Sequence, residues 1–255
     1  MIPVRNKVEN GAILAAGAGT RLRCNYSDIL PKPLIPVCSK PIIDYAIENL
    51  LKVGTKNIYV VVNFKKELIK KYLLGNYPDL NIFFIDQREL TGIADAVYSL
   101  KDYIGSNAFA VQLADEIDIL DNLEKFISLF FEKRSIATTA AIGEKNSEVI
   151  KRTCEIKIGG ESRIIQIREK PLKPKYEVRG LGFYVFRPEI FEFIENTEIS
   201  KTRNEREITD TLSLVSKVGR AHALEMSGVS FNINTNQDLT EARRYLCNCG
   251  HEKSI

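Results

Sequence analysis

The sequence lacks three features that would place it in a specialised class of protein. It has no apolar run long enough to span a bilayer, and its charged first ten residues contain no apolar stretch of signal-peptide length. Its 36 basic and 33 acidic residues leave a net charge of only +3, so no general polyanion partner is indicated. These absences predict a protein that binds neither membranes nor nucleic acids.

Cysteine is scarce as well, and its five copies suggest no disulfide framework. They are odd in number and scattered along the chain as Cys24, Cys38, Cys154, Cys247 and Cys249. This usage is typical of a reducing compartment, so we expect a cytoplasmic protein. The tail CNCGH offers soft ligands at close spacing, but it has no partner pair elsewhere. We interpret it as a frayed end after the last helix rather than as a zinc site.

What is present is the composition of an ordinary globular protein, with 44% hydrophobic and 27% charged residues. Strand-like and helical periods alternate through the first half; NIYVVV at 57–62 predicts a strand, for example, and 91–103 predicts one helix. Alternating segments around Gly159-Gly160 predict a hairpin. We therefore expect an α/β, Rossmann-like fold with a predominantly parallel but mixed sheet flanked by helices. Without a linker or repeat, residues 1–255 are predicted to form one domain.

The stretch LAAGAGTRL at residues 14–22 is typical of a loop that binds phosphate. A buried strand ends there in Gly17-x-Gly19, and glycine lets backbone N–H groups converge on an anion. In a parallel sheet this turn lies at the carboxyl end of its strand, where ligands bind. Leu22 replaces the third glycine of a dinucleotide fingerprint, which disfavours a Rossmann dehydrogenase. The segment predicts a phosphate turn with a fixed cation, Arg21, at its exit.

A lysine between two prolines follows the glycine turn. Pro31 and Pro33 are expected to make the backbone around Lys32 stiff and extended. A stiff mount suits a lysine that holds one position against a polyphosphate. Alone, Lys32 would be an ordinary surface lysine; beside the glycine turn, it favours a second phosphate-binding cation.

Together, LAAGAGTRL and PKPLIPVCSKPIIDYAIENL resemble the signature of the sugar-1-phosphate nucleotidyltransferases, the NDP-sugar pyrophosphorylases. The resemblance covers nearly the whole chain. It implies transfer of a nucleoside monophosphate from a nucleoside triphosphate to a sugar 1-phosphate, with release of pyrophosphate. Later segments fall in the order of that family: Gln87 with Gly92, Asp115, Glu169-Lys170-Pro171, Gly182 to Phe186, and NINTNQDL from Asn232.

The resemblance implies that residues of about 8–116 hold the nucleotide. Gln87 can read a pyrimidine edge with its amide, and Gly92 would let the base lie on the backbone. The spacing of these two residues matches thymidylyl and uridylyl members, so we expect UTP, dTTP or CTP. Arg21, Lys32 and Asp115 are the predicted catalytic residues. The triphosphate is assigned to Leu14, Ala15, Ala16, Gly17, Gly19, Thr20, Arg21 and Lys32.

The resemblance also implies Mg²⁺, held by Asp115 and Asn232. Many relatives place an aspartate in a Trp-x-Asp-x-Gly-Thr segment, where this chain has Asn232, with Asn234 in the place of the glycine. An amide oxygen can coordinate Mg²⁺, but it brings no charge. Whether Asn232 or Asn234 is the second ligand stays open. Glu116 is either a further acid behind the site or a charge at a helix start.

Residues of about 117–246 are expected to bind the acceptor. By resemblance, Glu169 contacts sugar hydroxyls, Lys170 contacts the sugar phosphate, and Gly182 lies below the sugar ring. The identities of the nucleotide and the acceptor stay open, as does a homo-oligomeric state.

Two alternatives to this function remain. Cytidylyltransferases that act on a non-sugar phosphate or phosphonate share the N-terminal signature. A non-catalytic nucleotide-sugar-binding regulatory protein is supported only by Asn232, while Arg21, Lys32 and Asp115 oppose it.

Overall fold

The first half alternates strands with helices, as its apolar periods predict. The computed structural model describes residues 7–17, 19, 22, 29–87 and 89–249. The elements up to residue 113 are β1 (Asn10–Ala15), β2 (Pro36–Val37), β3 (Lys40–Pro41), α1 (Ile42–Lys52), β4 (Asn57–Val62), α2 (Lys66–Asn76), β5 (Asn81–Asp86), α3 (Ile93–Tyr98), α4 (Lys101–Ile104) and β6 (Phe109–Leu113). The single helix predicted over 91–103 is wrong, since α3 and α4 are separate. Ser99 donates its hydroxyl to the Ala96 carbonyl at 2.7 Å, a bond that competes with the helix at this break.

The second half contains strands and two helices that the sequence patterns did not reveal. The elements after residue 113 are β7 (Glu116–Leu120), α5 (Leu123–Glu132), β8 (Ala137–Gly143), α6 (Ser147–Ile150), β9 (Cys154–Ile158), β10 (Ile164–Glu169), β11 (Val178–Phe186), α7 (Ile190–Glu195), α8 (Ile208–Lys217), β12 (Ala221–Glu225), β13 (Gly228–Asn232) and α9 (Asn236–Cys249). The missed elements are β7, α6, α8, β12 and β13. Glu116 begins a strand, so its interpretation as a helix-start charge is wrong.

One mixed sheet runs through both halves in the order β10-β9-β11-β6-β1-β4-β5, with β8 beside β11 and β12 beside β8. Strands β6, β1, β4 and β5 are parallel, and β11 joins them antiparallel to β6. Strands β9 and β10 form the hairpin predicted around Gly159-Gly160. Helices cover both faces, which confirms the predicted α/β fold. A separate antiparallel pair, β7 with β13, lies next to the carboxyl ends of the parallel strands.

The core consists of two apolar layers, one on each face of the sheet. Strand β1 supplies both layers in alternation: Ala12 packs in one, and Ile13 and Ala15 pack in the other. This two-sided burial explains why the inner strands are continuously apolar. Among the described residues, no helix combines the length and apolar character needed to cross a membrane.

The C-terminal helix is anchored to the rest of the chain. A small third cluster packs Ile233 and Leu239 against Ile35, in the segment that follows Lys32. Helix α9 extends through Cys249, and a disulfide joins Cys247 to Cys38. The interpretation of the tail as a frayed end is therefore wrong for the described part of the tail. Cys247 carries no thiolate for zinc while this bond is intact, and His251 lies outside the described residues.

Candidate active site

A cavity of about 600 Å³ opens at the carboxyl ends of β1, β5 and β6. These strands are parallel, so their ends meet at one edge of the sheet and the residues that follow them converge. Thr20 and Arg21, both predicted for the triphosphate, lie outside the described residues. The other predicted residues that line the cavity are Leu14, Ala15, Ala16, Gly17, Gly19, Lys32, Gln87, Gly92, Asp115, Glu169, Lys170 and Asn232.

The glycine turn and the lysine segment are in direct contact. Gly19 has a left-handed φ of +62°, and a Cβ there would lie 3.0 Å from Cβ of Lys32. A side chain at this position would therefore crowd the lysine. Glycine is required here by both the backbone angle and the close approach.

Lys32 begins a 3-10 turn that ends at Leu34, so the prediction of an extended backbone holds only for Pro31. Pro33 tolerates the turn because its fixed φ suits the first positions of a helix. The lysine side chain is only 9% exposed. Its Nζ donates to Oδ2 of Asp115 at 2.9 Å and to Oδ1 of Asn234 at 3.0 Å. The two acceptors thus hold the ammonium group of Lys32 at the lining of the cavity.

Two strands from distant parts of the chain bring the predicted metal ligands together. In the β7–β13 pair, Asn232 lies opposite Glu116, and the Ile233 N–H donates to the Asp115 carbonyl at 2.9 Å. Asn232 donates its Nδ2 to Oε1 of Glu116 at 2.8 Å, and Asn234 donates its Nδ2 to Oδ1 of Asn232. Asp115, Asn232 and Asn234 therefore form one connected polar group with Lys32.

The start of α9 holds this segment in place. The Asp238 carboxylate accepts from the backbone N–H groups of Asn234 and Thr235 at 3.0 and 2.7 Å, and Oγ1 of Thr235 accepts from the Asp238 N–H at 3.2 Å. These reciprocal bonds form a capping box, which satisfies N–H groups that the helix leaves free. The helix cap thereby fixes the loop that carries the two asparagines.

Glu116 is a buried acid with an altered affinity for protons. Burial, followed by the negative charges of Asp118 and Asp115, raises its pKa to about 8. Arg179 and the N–H of Gly182 oppose this rise because they favour the ionised form. The protein thus places a carboxylate directly behind Asn232, at a cost in desolvation.

The donor set near Asp115 fits a divalent cation that is shared with phosphates. Within the described residues, no three acidic, histidine or cysteine side chains form a metal-binding cluster. Asp115 supplies one partly exposed carboxylate, and Asn232 supplies an amide oxygen. Mg²⁺ commonly binds to one or two carboxylates and completes its shell with substrate phosphates and water. The residues present match that habit.

Gln87 and Gly92 line the cavity and come from the first half of the chain. The peptide group of Gln87 is fixed on both sides, since its N–H donates to the Val62 carbonyl at 3.0 Å and its carbonyl accepts from Asn63 at 2.5 Å. Gly92 has a φ of +122°, and a Cβ there would lie 2.3 Å from the Arg206 carbonyl oxygen. Glycine is thus needed at position 92 for contact with another segment of the chain, whatever lies in the cavity.

Glu169 and Lys170, at the end of β10, line the cavity from the second half of the chain. Burial, followed by the negative charge of Glu207, raises the pKa of Glu169 to about 7. Lys170 lies 3.4 Å from the Glu169 carboxylate and adopts a left-handed φ of +42°. Arg203 lines the same end and donates to Glu207 at 2.5 Å. This end of the cavity therefore holds two cations and two acids.

Gly182 does not line the cavity among the described residues, whereas its neighbours Gly180 and Leu181 do. A Cβ at position 182 would lie 2.7 Å from Cγ of Leu113, and the Gly182 N–H donates to Oε2 of Glu116 at 2.6 Å. The structure therefore gives this glycine a packing role between β6 and β11. Its predicted contact with the sugar stays a prediction.

Sequence reasoning missed several residues that line the cavity, among them Arg203 and Glu207, and it did not foresee the contact of Asn234 with Lys32. Arg203 and Glu207 come from the segment before α8, which was not assigned to any element. The dense charge run TRNERE at 202–207, directly before an apolar helical period, was the available signal. For Asn234, the sequence offered no signal for a contact with Lys32, because 202 positions separate the two residues.

Comparison with known proteins assigns the chain to a family. The family model described as "Nucleotidyl transferase" matches residues 10–245. The chain is 34% identical to the bifunctional protein GlmU of Methanocaldococcus jannaschii over 92% of its own length, but it spans only 53% of that relative. It is 31% identical to the UTP–glucose-1-phosphate uridylyltransferase AglF of Haloferax volcanii, over 92% of this chain and 95% of AglF.

A solved structure shares the fold. A UDP-glucose pyrophosphorylase, crystallised with UDP-glucose, superimposes with a TM-score of 0.85 over 95% of this chain and 99% of the other, at 24% identity. The sequence comparison and the fold lead to the same family. The chain also contains the glycine turn, the proline-flanked lysine and a carboxylate at the end of β6. The chain belongs to the nucleotidyl transferase family.

Proposed function

We propose that the protein transfers a nucleoside monophosphate from a pyrimidine nucleoside triphosphate to a sugar 1-phosphate and releases pyrophosphate. One observation carries this proposal: a single cavity is lined by the glycine turn, by Lys32 in contact with Asp115, and by Lys170 and Arg203 from the second half of the chain. Such a lining offers several cations and one carboxylate to two phosphorylated substrates in the same cavity. Family membership and the similarity to AglF support the same reaction.

The chain's own residues act mainly by position and charge. An oxygen of the sugar phosphate attacks the α-phosphorus and forms a new P–O bond, while the bond to the β-phosphate oxygen breaks and pyrophosphate leaves. Lys32 and the backbone around Gly19 hold the triphosphate, and Lys170 and Arg203 neutralise the incoming phosphate. The ammonium of Lys32 is already fixed before substrate binds, so little reorganisation is needed during the reaction.

Asp115 and Asn232 are proposed to hold Mg²⁺ together with the nucleotide phosphates. A bound Mg²⁺ would neutralise charge on the transferring group. The protein offers one negative charge in direct reach, since the second ligand is an amide. We therefore expect the metal to bind weakly without nucleotide and turnover to depend on Mg²⁺.

Gln87 is proposed to read the base, and Glu169 the sugar. The amide of Gln87 offers a donor and an acceptor, as an exocyclic oxygen and ring N–H of a pyrimidine require. The carboxylate of Glu169 can accept hydrogen bonds from hydroxyl groups once it is ionised. Both residues line the cavity, one from each half of the chain.

A grid of nucleotides against phosphorylated acceptors, followed by pyrophosphate release, tests the proposal. We expect UTP, dTTP or CTP to react with a hexose 1-phosphate well ahead of ATP and GTP. Reaction only with a non-sugar phosphate or phosphonate would replace the acceptor in this proposal. No turnover with any pair, in a protein that binds nucleotide sugars, would leave the regulatory alternative instead.

A further inference from the structure

Glu116 is a nearly enclosed acid that lines the cavity, and both of its oxygens accept hydrogen bonds. It is 4% exposed. Its Oε2 accepts from the Gly182 N–H at 2.6 Å, and its Oε1 accepts from Nδ2 of Asn232 at 2.8 Å. The carboxylate thus joins the acceptor-side strand β11 to the strand that carries a proposed metal ligand.

The hydrogen bonds beyond Asn232 all run in one direction. Asn234 donates to Oδ1 of Asn232, and Lys32 donates to Oδ1 of Asn234 at 3.0 Å. An ammonium group can only donate, and both oxygens of Glu116 act as acceptors here, one from the Gly182 N–H and one from Nδ2 of Asn232. The two ends of the chain, Lys32 and Glu116, therefore agree on one orientation for both amides.

This orientation decides which atom of Asn232 is available to a cation. With its nitrogen held by Glu116, the side chain turns its oxygen toward Asn234, and both asparagines line the cavity. A reversed amide would instead present an N–H group, which repels a cation. It would also place two amide nitrogens against each other between Asn232 and Asn234.

We infer that Glu116 is a positioning residue that fixes the Asn232 amide for metal binding and, through Asn234, fixes Lys32. The inference rests on the proposed function for its catalytic meaning. Glu116 and Asn232 together take the place of the single aspartate that many relatives have. The carboxyl group of Glu116 lies behind Asn232, and the Asn232 amide carries the ligand oxygen.

A glutamine at position 116 would break the orientation because it has one acceptor and one donor end. If its oxygen keeps the bond from Gly182, its nitrogen meets the nitrogen of Asn232. Asn232→Asp removes that conflict, since the introduced carboxylate accepts from the glutamine and still presents an oxygen to the cavity. In the wild-type background, the same change places a second acidic group against the buried Glu116.

The test is a double-mutant cycle of Glu116→Gln, Asn232→Asp and the double variant, with binding of Mn²⁺ alone measured by electron paramagnetic resonance. We expect Glu116→Gln to weaken Mn²⁺ binding and turnover at least tenfold, as loss of an oriented buried hydrogen bond does. The double variant should recover both to within about threefold of wild type. In urea, Asn232→Asp should lower the unfolding midpoint of the wild type but raise that of Glu116→Gln.

Asp44→Asn is the control. Asp44 is a buried acid on α1, outside the cavity lining, and it accepts from the Tyr72 hydroxyl at 2.8 Å. Asn232→Asp should change Mn²⁺ affinity in this background by the same factor as in the wild type, within about threefold. The inference is wrong if Asn232→Asp changes Mn²⁺ affinity by that same factor in the Glu116→Gln background as well.

The urea and Mn²⁺ measurements need no substrate, so they separate this inference from the proposed function. If the Mn²⁺ and urea data show coupling between positions 116 and 232 but no nucleotide gives turnover, the proposed function is wrong and the positioning role of Glu116 stands. Should Glu116→Gln not fold, Asn232→Asp alone decides, because a raised unfolding midpoint in that variant contradicts the inference. Folding restored in the double variant supports it.

Discussion

Lys32 is held by two acceptors before any substrate binds, Asp115 and Asn234. Its position in a 3-10 turn between two prolines leaves its backbone little freedom. A cation fixed in this way can stabilise charge as it develops on the transferring phosphate, and it needs no rearrangement to do so. Lys32 therefore combines a rigid position with a positive charge.

Lys32→Ala should therefore lower turnover by roughly 100- to 1,000-fold, about 3 to 4 kcal/mol in the barrier, as loss of one preorganised donor typically does. Lys40→Ala is the control, because Lys40 lies outside the cavity, pairs with Glu48 and stacks over Tyr45. It should stay within about twofold of wild-type turnover. Equal rates for the two variants, both folded by circular dichroism, would contradict the role of Lys32.

Glu169 should give the reaction a pH dependence near neutrality. Its pKa of about 7, raised by burial and by Glu207, means that it ionises only as pH rises through that value. Because the ionised form accepts sugar hydroxyls in our proposal, kcat/KM for the acceptor should rise with pH and level off above about 7. Glu169→Gln should flatten the profile, whereas Glu148→Gln, which changes an exposed carboxylate, should leave it unchanged.

The stability of the protein should change with pH in the opposite sense. The folded pKa of Glu169 exceeds the ordinary glutamate value of 4.5, so the folded state binds more protons between about 4.5 and 7. The contribution of Glu169 is therefore fully present below 4.5 and is lost as pH rises through about 7. Urea unfolding of wild type and Glu169→Gln across this range measures the difference, and parallel curves would refute it.

At the scale of secondary structure, the start of α3 contacts the segment before α8, and this contact joins the two parts of the cavity that we propose for nucleotide and acceptor. Gly92 packs against the Arg206 backbone, and the Arg206 side chain donates to Asp95 at 2.5 Å. The same segment carries Arg203 and Glu207, which line the acceptor end. A disturbance at Gly92 should therefore reach both substrates.

Gly92→Ala should lower stability by about 2 kcal/mol or more, because φ is +122° and the new methyl group would meet the Arg206 carbonyl. It should also raise KM for nucleotide and acceptor together. Gly105→Ala is the control, since φ is +64° there and no atom lies within 4 Å of the added Cβ. That variant should cost about 1 to 2 kcal/mol with unchanged KM values. Equal unfolding midpoints in urea would show that the Arg206 contact carries no weight.

For the whole molecule, the disulfide between Cys38 and Cys247 closes a loop of 209 residues. A cross-link over such a distance restricts the unfolded chain strongly. It also ties α9, whose cap holds Asn234, to the hairpin β2–β3 beyond Lys32. Both ends of the bond thus lie next to segments of the candidate site.

Replacing both cysteines by serine should lower the free energy of unfolding by about 2 to 4 kcal/mol. Reductant should lower the wild type by the same amount and leave the double variant unchanged, as urea unfolding with and without dithiothreitol would show. A wild type that is insensitive to reductant would mean that this bond does not stabilise the protein.

The sequence by itself determined the fold class and indicated part of the cavity lining. Strand β4 was predicted with its observed bounds, and the glycine turn was predicted at the end of a buried strand, where β1 ends. Local patterns suffice here because parallel strands bring their carboxyl ends to one edge, whatever the details of packing. Any residue that directly follows such a strand must lie near the others.

Only the tertiary structure decided how the remaining parts of the site meet. Glu116 and Asn232 are 116 positions apart and become neighbours through the register of β7 with β13. Antiparallel register between distant segments leaves no trace in local periodicity, and neither does the contact of Gly92 with Arg206. The direction of the hydrogen bonds from Lys32 to Glu116 depends on which donor faces which acceptor, so it exists only after the chain has folded.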